Sequence, residues 1–153
     1  MNTVDRSVAY MDAAMRRRFS FMELHPDTPP VAGLLDSWLR KRTEEQGGDP
    51  DAYDDSHVRL LDEINRLLAD GSPGDRSFRV GPSYFMQDLA HTGDGALERL
   101  WKTQIIPLLT EHHWGDGTDV EAVYGLPALR ARLNIPPPAN AGSADSADDS
   151  ANQ

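Results

Sequence analysis

The first 19 residues, MNTVDRSVAYMDAAMRRRF, gather Asn2, Asp5 and four arginines (Arg6, Arg16, Arg17 and Arg18) among small and apolar side chains. Polar groups this dense normally mark a site. Phosphoryl transfer asks a protein mainly for positioning and charge neutralisation, and amide and guanidinium groups serve those ends. Taken one at a time the same residues are ordinary. An Asn-Thr pair is a common helix cap, and three arginines at a helix end form a solvated cluster that the helix dipole favours. A chain terminus, where most domains are loosely ordered, is also an odd place for a site.

The remaining candidates for chemistry are weaker. Lys41 and Lys102 are the only lysines, and neither follows a glycine. The phosphate-binding pattern GxxxxGKS/T is therefore absent, and with it that route to cradling a nucleoside triphosphate. Leu60-Leu61-Asp62-Glu63 looks like the acidic end of an NTPase strand, but Arg59 interrupts the apolar run. The 3.6-residue period continues through Ile64 and Leu68, which puts Asp62 and Glu63 on the solvated face of a helix. His91, His112 and His113 are conceivable metal ligands, yet adjacent histidines diverge by about 100° on a helix, so no metal site is assigned. Cysteine is absent, which excludes disulfides and thiolate metal sites. A net charge of -10 argues against a general nucleic-acid or membrane-surface binder. No apolar run approaches a membrane span or a signal peptide, so the expected setting is the cytoplasm.

The elements that must position these residues are mainly helical. Residues 7–18 read as a short helix, and FSFMEL at 19–24 as a short buried strand. After HPDTPP, with Asp27 or Thr28 as cap and Pro29 or Pro30 in the first turn, Val31, Leu34, Leu35, Trp38 and Leu39 form a helical stripe. Arg40, Lys41 and Arg42 fall in its later turns, where the dipole favours cations. A second helix spans about 56–70 through Val58, Leu61, Ile64 and Leu68. Gly81-Pro82 opens a third helical segment. A fourth covers roughly 95–113, kinked or split by Pro107, and a last one near 119–133 is interrupted by Gly125 and Pro127. From Pro136 to Gln153 there is no Leu, Ile, Val, Met or aromatic residue, so 135–153 reads as a disordered acidic tail. A lone strand cannot satisfy its own backbone groups and implies a sheet elsewhere.

MNTVDRS, then Asp12-Ala13-Ala14, then RRRF, resembles one region of the AAA+ NTPases, most closely the motor of modification-dependent (5-methylcytosine-specific) restriction systems, the McrB type. RVGPSYF (79–85) is similar to that family's opening of a lid helix, and IIPLLTEHHWGD (105–116) to its last lid helix, with the same Ile-x-Pro-Leu-Leu order around Pro107. The anchors cover about residues 1–116. The resemblance implies a short helix and strand left from an AAA+ α/β core over 1–25, a helical lid over 26–134, and the tail. It gives Asn2, at sensor 1, the attacking water and the γ-phosphate, with Asp5 assisting. Arg17 and Arg18 become fingers that reach the nucleotide of the adjacent subunit in a ring, while Arg16 is left open as a salt-bridge residue. Arg6, Arg79 and Ser83 become nucleotide contacts. His112-His113-Trp114 depart from the acidic and aromatic residues expected there, and Pro82 replaces a polar residue of some members.

The family's order is phosphate loop, acidic strand end, sensor 1, fingers, lid, and this chain begins at the third. It is expected to be the C-terminal portion of a ring-forming GTPase or ATPase that drives a DNA restriction nuclease. GTP or ATP with magnesium belongs to the intact parent, and no cofactor or hydrolysis is expected of this chain alone. Its partners would be other AAA+ subunits and a nuclease subunit, with no direct DNA binding and no membrane. A different reading is a freestanding helical module that binds or caps a full-length motor ring. A leftover fragment would expose the unpaired edge of its strand and dissolve poorly, whereas an evolved module would be soluble with a defined partner.

Overall fold

A computed structural model describes residues 18, 20, 22, 24–71 and 78–137. It is mainly helical and divides into two compact units, Met1–Met86 and Gln87–Gln153. Among the described residues there is no strand. Of the expected strand at 19–24, only Ser20, Met22 and Leu24 are described; none lies in a regular element, and Met22 and Leu24 are exposed. The expected helix over 7–18 lies outside the described residues apart from Arg18, and so does the tail from 138 onward.

In the first unit, helix α1 spans Leu34–Glu45 and α2 spans Ser56–Gly71. Helix α1 starts later than the Asp27 or Thr28 cap would place it. The tract before it folds into successive tight turns, with the Val31 and Ala32 amides both donating to the Thr28 carbonyl at 3.0 Å. Gly33 follows at φ 76°, a left-handed conformation through which a helical ladder does not run, so the helix begins after it. Leu35 and Leu39, one turn apart, are buried, while Leu34 stays exposed. The three cations expected on this helix all have internal partners. Arg40 pairs with Asp36 at 2.9 Å and Asp51 at 2.8 Å, Lys41 with Glu45 at 3.7 Å, and the Arg42 guanidinium lies 5.1 Å from the centre of the Trp38 ring. Tyr53 donates its hydroxyl to Asp36, and this bond, with that from Arg40, holds the Asp36 carboxyl below its ordinary range. The 46–55 loop is thereby fastened to α1.

Helix α2 buries Leu60, Leu61, Ile64 and Leu68 on one side. Asp62 is exposed, and Glu63 accepts from Arg66 at 2.8 Å. The Leu-Leu-Asp-Glu run is thus part of a helix, as its period requires, with Asp62 exposed and the Glu63 side chain, 11% exposed, largely covered. Short 3-10 turns follow at Pro82–Tyr84 in the first unit and Asp88–Ala90 in the second.

The second unit is built on a rod. Helix α3 (Ala96–Leu100) runs into a π-helical stretch, Trp101–Ile105, and then into α4 (Ile106–His112). Pro107 has no N–H for the carbonyl four residues back, and its ring crowds that carbonyl; the widened turn immediately before it relieves the conflict. Helices α5 (Val120–Tyr124) and α6 (Leu126–Leu133) meet at Gly125. Asp119 caps α5 by accepting from the Ala122 amide at 3.0 Å. Asn134, at φ 53°, ends α6, and the chain folds back so that the Ile135 amide donates to the Arg130 carbonyl at 2.9 Å. Ile135 is buried, so the ordered body extends past the boundary at 134. Trp101, Ile105, Leu109, Tyr124 and Leu129 are buried. The Trp101 indole N–H donates to the Tyr124 carbonyl at 2.8 Å, which satisfies both groups where α5 stops. No helix among the described residues is long and apolar enough to cross a membrane.

Candidate functional site

Arg79 and Ser83 are the two sequence-predicted nucleotide contacts that the structure describes, and both lie on one short segment, 78–85. Asn65 holds that segment. Its amide N–H donates to the Val80 carbonyl at 3.0 Å, and its amide oxygen accepts from the Val80 N–H at 2.8 Å. A side-chain amide can offer this paired donor and acceptor to an extended backbone, so α2 holds residue 80 much as a neighbouring strand would. Val80 is fully buried and Phe78 nearly so, leaving Arg79 between them directed away from those anchors.

The Arg79 guanidinium does not stand open. Its Nη1 donates to the Phe78 carbonyl at 2.7 Å, and its Nε lies 3.3 Å from the Asp27 carboxylate. The Arg79 side chain is 8% exposed and that of Asp27 53%. The negative field reaches further: partial burial, and then the Asp27 charge, push the Asp62 carboxyl up from its ordinary range. Three residues on, Pro82 and Phe85 are buried, α1 packs against the Pro82–Tyr84 turn, and the Phe85 ring meets His57 edge-on at 6.1 Å. With its neighbours fixed, Ser83 faces outward. To a phosphate this segment offers one guanidinium, now shared with a carboxylate, and one hydroxyl.

Of the other predicted site residues, Arg18 is exposed in a turn, while Asn2, Asp5, Arg6 and Arg17 lie outside the described residues. Arg79 and Ser83 thus share one described segment, four positions apart. Asn65 and Asp27 were not assigned to the site from sequence. Asn65 did leave a signal, because it is the one polar residue within the buried stripe of Leu61, Ile64 and Leu68. Asp27 reads as a cap and lies 52 positions from its partner, which no local pattern reports.

A second polar assembly occupies the loop after α4. His113 Nδ1 and Asp116 are 2.7 Å apart, and His113 Nε2 and the Tyr124 hydroxyl 3.1 Å. The His113 bond, helped by the Thr118 amide, holds the Asp116 carboxyl down at about 2. Burial, with the Asp116 charge, raises the Tyr124 hydroxyl above its ordinary value. His113 is thereby occupied as a brace. Among the described residues no three His, Cys, Asp or Glu side chains are grouped to hold a metal ion.

Residues 56–121 match the family model described as McrB, alpha-helical lid domain. That span takes in Asn65, the 78–85 segment and the rod around Pro107. The "Type IV methyl-directed restriction enzyme EcoKMcrB subunit" of Escherichia coli (strain K12) is 34% identical over 122 residues, covering 76% of this chain. The chain is a McrB-type sequence over the matched residues. As a McrB-type chain it is related to AAA+ restriction motors and carries their α-helical lid, as the sequence resemblance implied. It spans about a quarter of the length of the curated relative it matches, 25%. No solved structure matches it.

Proposed function

We propose that this chain supplies the sensor 1, arginine-finger and lid portion of a ring-forming AAA+ NTPase that drives a DNA restriction nuclease in the cytoplasm. In this reading residues 1–25 end the core, 26–134 with the buried Ile135 form the lid, and an acidic tail follows. Asn2 and Asp5 orient the attacking water. Arg17 and Arg18 neutralise charge on the neighbouring subunit's nucleotide, and Arg6, Arg79 and Ser83 contact nucleotide. GTP or ATP with magnesium is held mainly by a polypeptide that carries a phosphate loop. The other subunits of the ring and a nuclease subunit are its partners, and it makes no direct contact with DNA.

The observation that supports the reading is the clamped 78–85 segment within the matched lid, which carries Arg79 and Ser83 four positions apart, Arg79 shared with Asp27 and Ser83 exposed. The test is a chimera in which the matched portion of the Escherichia coli relative is replaced by this chain. The chimera should hydrolyse GTP or ATP, while this chain alone releases no phosphate. Arg17→Ala or Arg18→Ala in the chimera should lower turnover by a factor on the order of 10³, and Arg79→Ala should raise KM. Undiminished turnover in both finger variants would remove those roles. A chain that binds an intact ring and arrests it, without supporting turnover in the chimera, would instead be a freestanding capping module.

A further inference from the structure

Arg79 carries a covered charge with one edge firmly held and one held loosely. Its Nη1 donates to the Phe78 carbonyl at 2.7 Å, which orients the guanidinium. The backbone beneath it is fixed by the two Asn65 bonds to Val80. The Nε edge faces Asp27 at 3.3 Å. That is long for a charged hydrogen bond, whose ordinary length is about 2.7–2.9 Å. Arg40, Arg66 and Arg130 reach carboxylates at 2.9, 2.8 and 2.6 Å. The first two of those pairs lie within one helix, whereas Asp27 and Arg79 stand 52 positions apart and join two separate tracts of the first unit.

Asp27 is built to let go. Its amide donates to His25 Nδ1 at 3.2 Å, and the Thr28 amide to the His25 carbonyl at 3.1 Å, so its backbone is held in a turn. Its carboxylate, by contrast, is half exposed and has solvent to turn into. An ion pair with one partner this exposed is weak. A phosphate group offers several anionic oxygens to the same guanidinium edge and can accept two parallel bonds, so it displaces a single long carboxylate contact. A like charge then helps to clear the place. The exposed Asp62 carboxyl on α2, raised by partial burial and then by the Asp27 charge, is a neighbour that repels Asp27 once the guanidinium between charges of one sign is taken up by a ligand.

We propose that Asp27 is a built-in competitor for the phosphate chain of a nucleotide. It occupies the Nε edge of Arg79 until phosphate oxygens replace it, and so sets how readily this segment takes hold of nucleotide. The inference rests on the reading of Arg79 as a nucleotide contact and adds to it a residue with a part of its own. Asp27 acts through Arg79 and is a positioning residue. The sign of its effect is distinctive. Removing a competitor strengthens phosphate binding, because the binding-competent guanidinium becomes the more populated one. Removing a merely structural partner would loosen Arg79 and weaken binding.

The experiment titrates inorganic tripolyphosphate, without metal, into the full isotope-labelled chain. The readout is the nuclear magnetic resonance signal of the Arg79 Nε–H, assigned by its loss in Arg79→Lys, and circular dichroism confirms that each variant is folded. The dissociation constant read from that signal should fall about two- to fivefold in Asp27→Asn, the range that an exposed ion pair supplies. Asp27→Glu keeps the charge and should return the affinity to that of the parent. Glu44→Gln removes an exposed carboxylate from the last turn of α1 and should change the affinity less than Asp27→Asn does, which separates local competition from the general effect of a net charge of -10. An Asp27→Asn affinity that is unchanged, weaker, or raised no more than that of Glu44→Gln overturns the competitor and keeps Arg79 as a phosphate contact. An Arg79 signal that tripolyphosphate leaves in place in both the parent and Asp27→Asn overturns the competitor and the nucleotide reading of Arg79 together.

Discussion

Replacing Asn65 by Ala removes both bonds to Val80, at 3.0 and 2.8 Å, in one step. Val80 is fully buried, so its N–H and C=O cannot turn to bulk water. Each stranded group costs about 1–3 kcal/mol, and a water entering the vacated space recovers part, so the loss should be about 2–4 kcal/mol. Urea unfolding followed by far-UV circular dichroism and by fluorescence measures it, two probes being needed because two units need not melt together. Trypsin cleavage after Arg79 should accelerate in parallel, since the same clamp fixes that residue's backbone. Asn65→Asp sharpens the test. At neutral pH its carboxylate would face the Val80 carbonyl in a buried site, and the variant should be no more stable than Asn65→Ala. Burial raises the folded-state pKa of that new carboxyl above its unfolded value. The protonated form again offers one donor and one acceptor, so the deficit should shrink as pH falls through the raised pKa and return as pH rises. A loss under about 0.5 kcal/mol in Asn65→Ala, the ordinary scatter of surface substitutions, with unchanged cleavage after Arg79, would refute the clamp.

Three further outcomes follow from the second unit. Gly125→Ala should cost about 1–3 kcal/mol in thermal or urea melts, because a Cβ there would overlap the Glu121 carbonyl oxygen and force apart the α5–α6 joint. Trp101→Phe should cost about 2 kcal/mol, from the stranded Tyr124 carbonyl and the smaller ring together. Asp116 has a folded pKa of about 2 against an ordinary 3.8, so it stabilises the fold above the unfolded value and ceases to do so as pH falls through about 2. Asn in its place should therefore lower the urea midpoint at pH 6, with the gap to the parent closing between about pH 4 and pH 2.

Helix existence was legible wherever apolar spacing repeated. The stripe of Val58, Leu61, Ile64 and Leu68 placed α2 to within one residue, although Leu60 rather than Val58 is the buried residue of its first turns, and the same period disposes of Asp62-Glu63 as a strand end. The start of α1 was not legible from Asp27, Thr28 and the prolines, because cap chemistry competes with turn chemistry. Gly33 decided in favour of turns. Pro107 announced a break but not its kind, since a kink, a split and a wide turn all answer the missing N–H. Of the candidate site, Arg79 and Ser83 were named from motif resemblance. What supports them was not, because Asn65 and Asp27 come together with residues 79–80 only through the tertiary fold. Asn2, Asp5, Arg6 and Arg17 lie outside the described residues.

The π-helical stretch at Trp101–Ile105 bears on how this rod tolerates insertions and deletions. Its buried positions Leu97, Trp101, Ile105 and Leu109 recur every four residues. In a regular α-helix each such step drifts by about 40°, so three steps would carry the last about 120° around the axis. The wide turn takes up part of that drift and keeps Leu109 in phase with Leu97. Deleting one residue between 101 and 105 would close the wide turn into a regular helix and bring back the conflict between Pro107 and the carbonyl four residues before it. Eleven regular steps of about 100° would still bring Leu109 to within about 20° of Leu97, so the two halves should keep their phase. The rod is thus a helix with one residue too many, and the wide turn confines that surplus to one place.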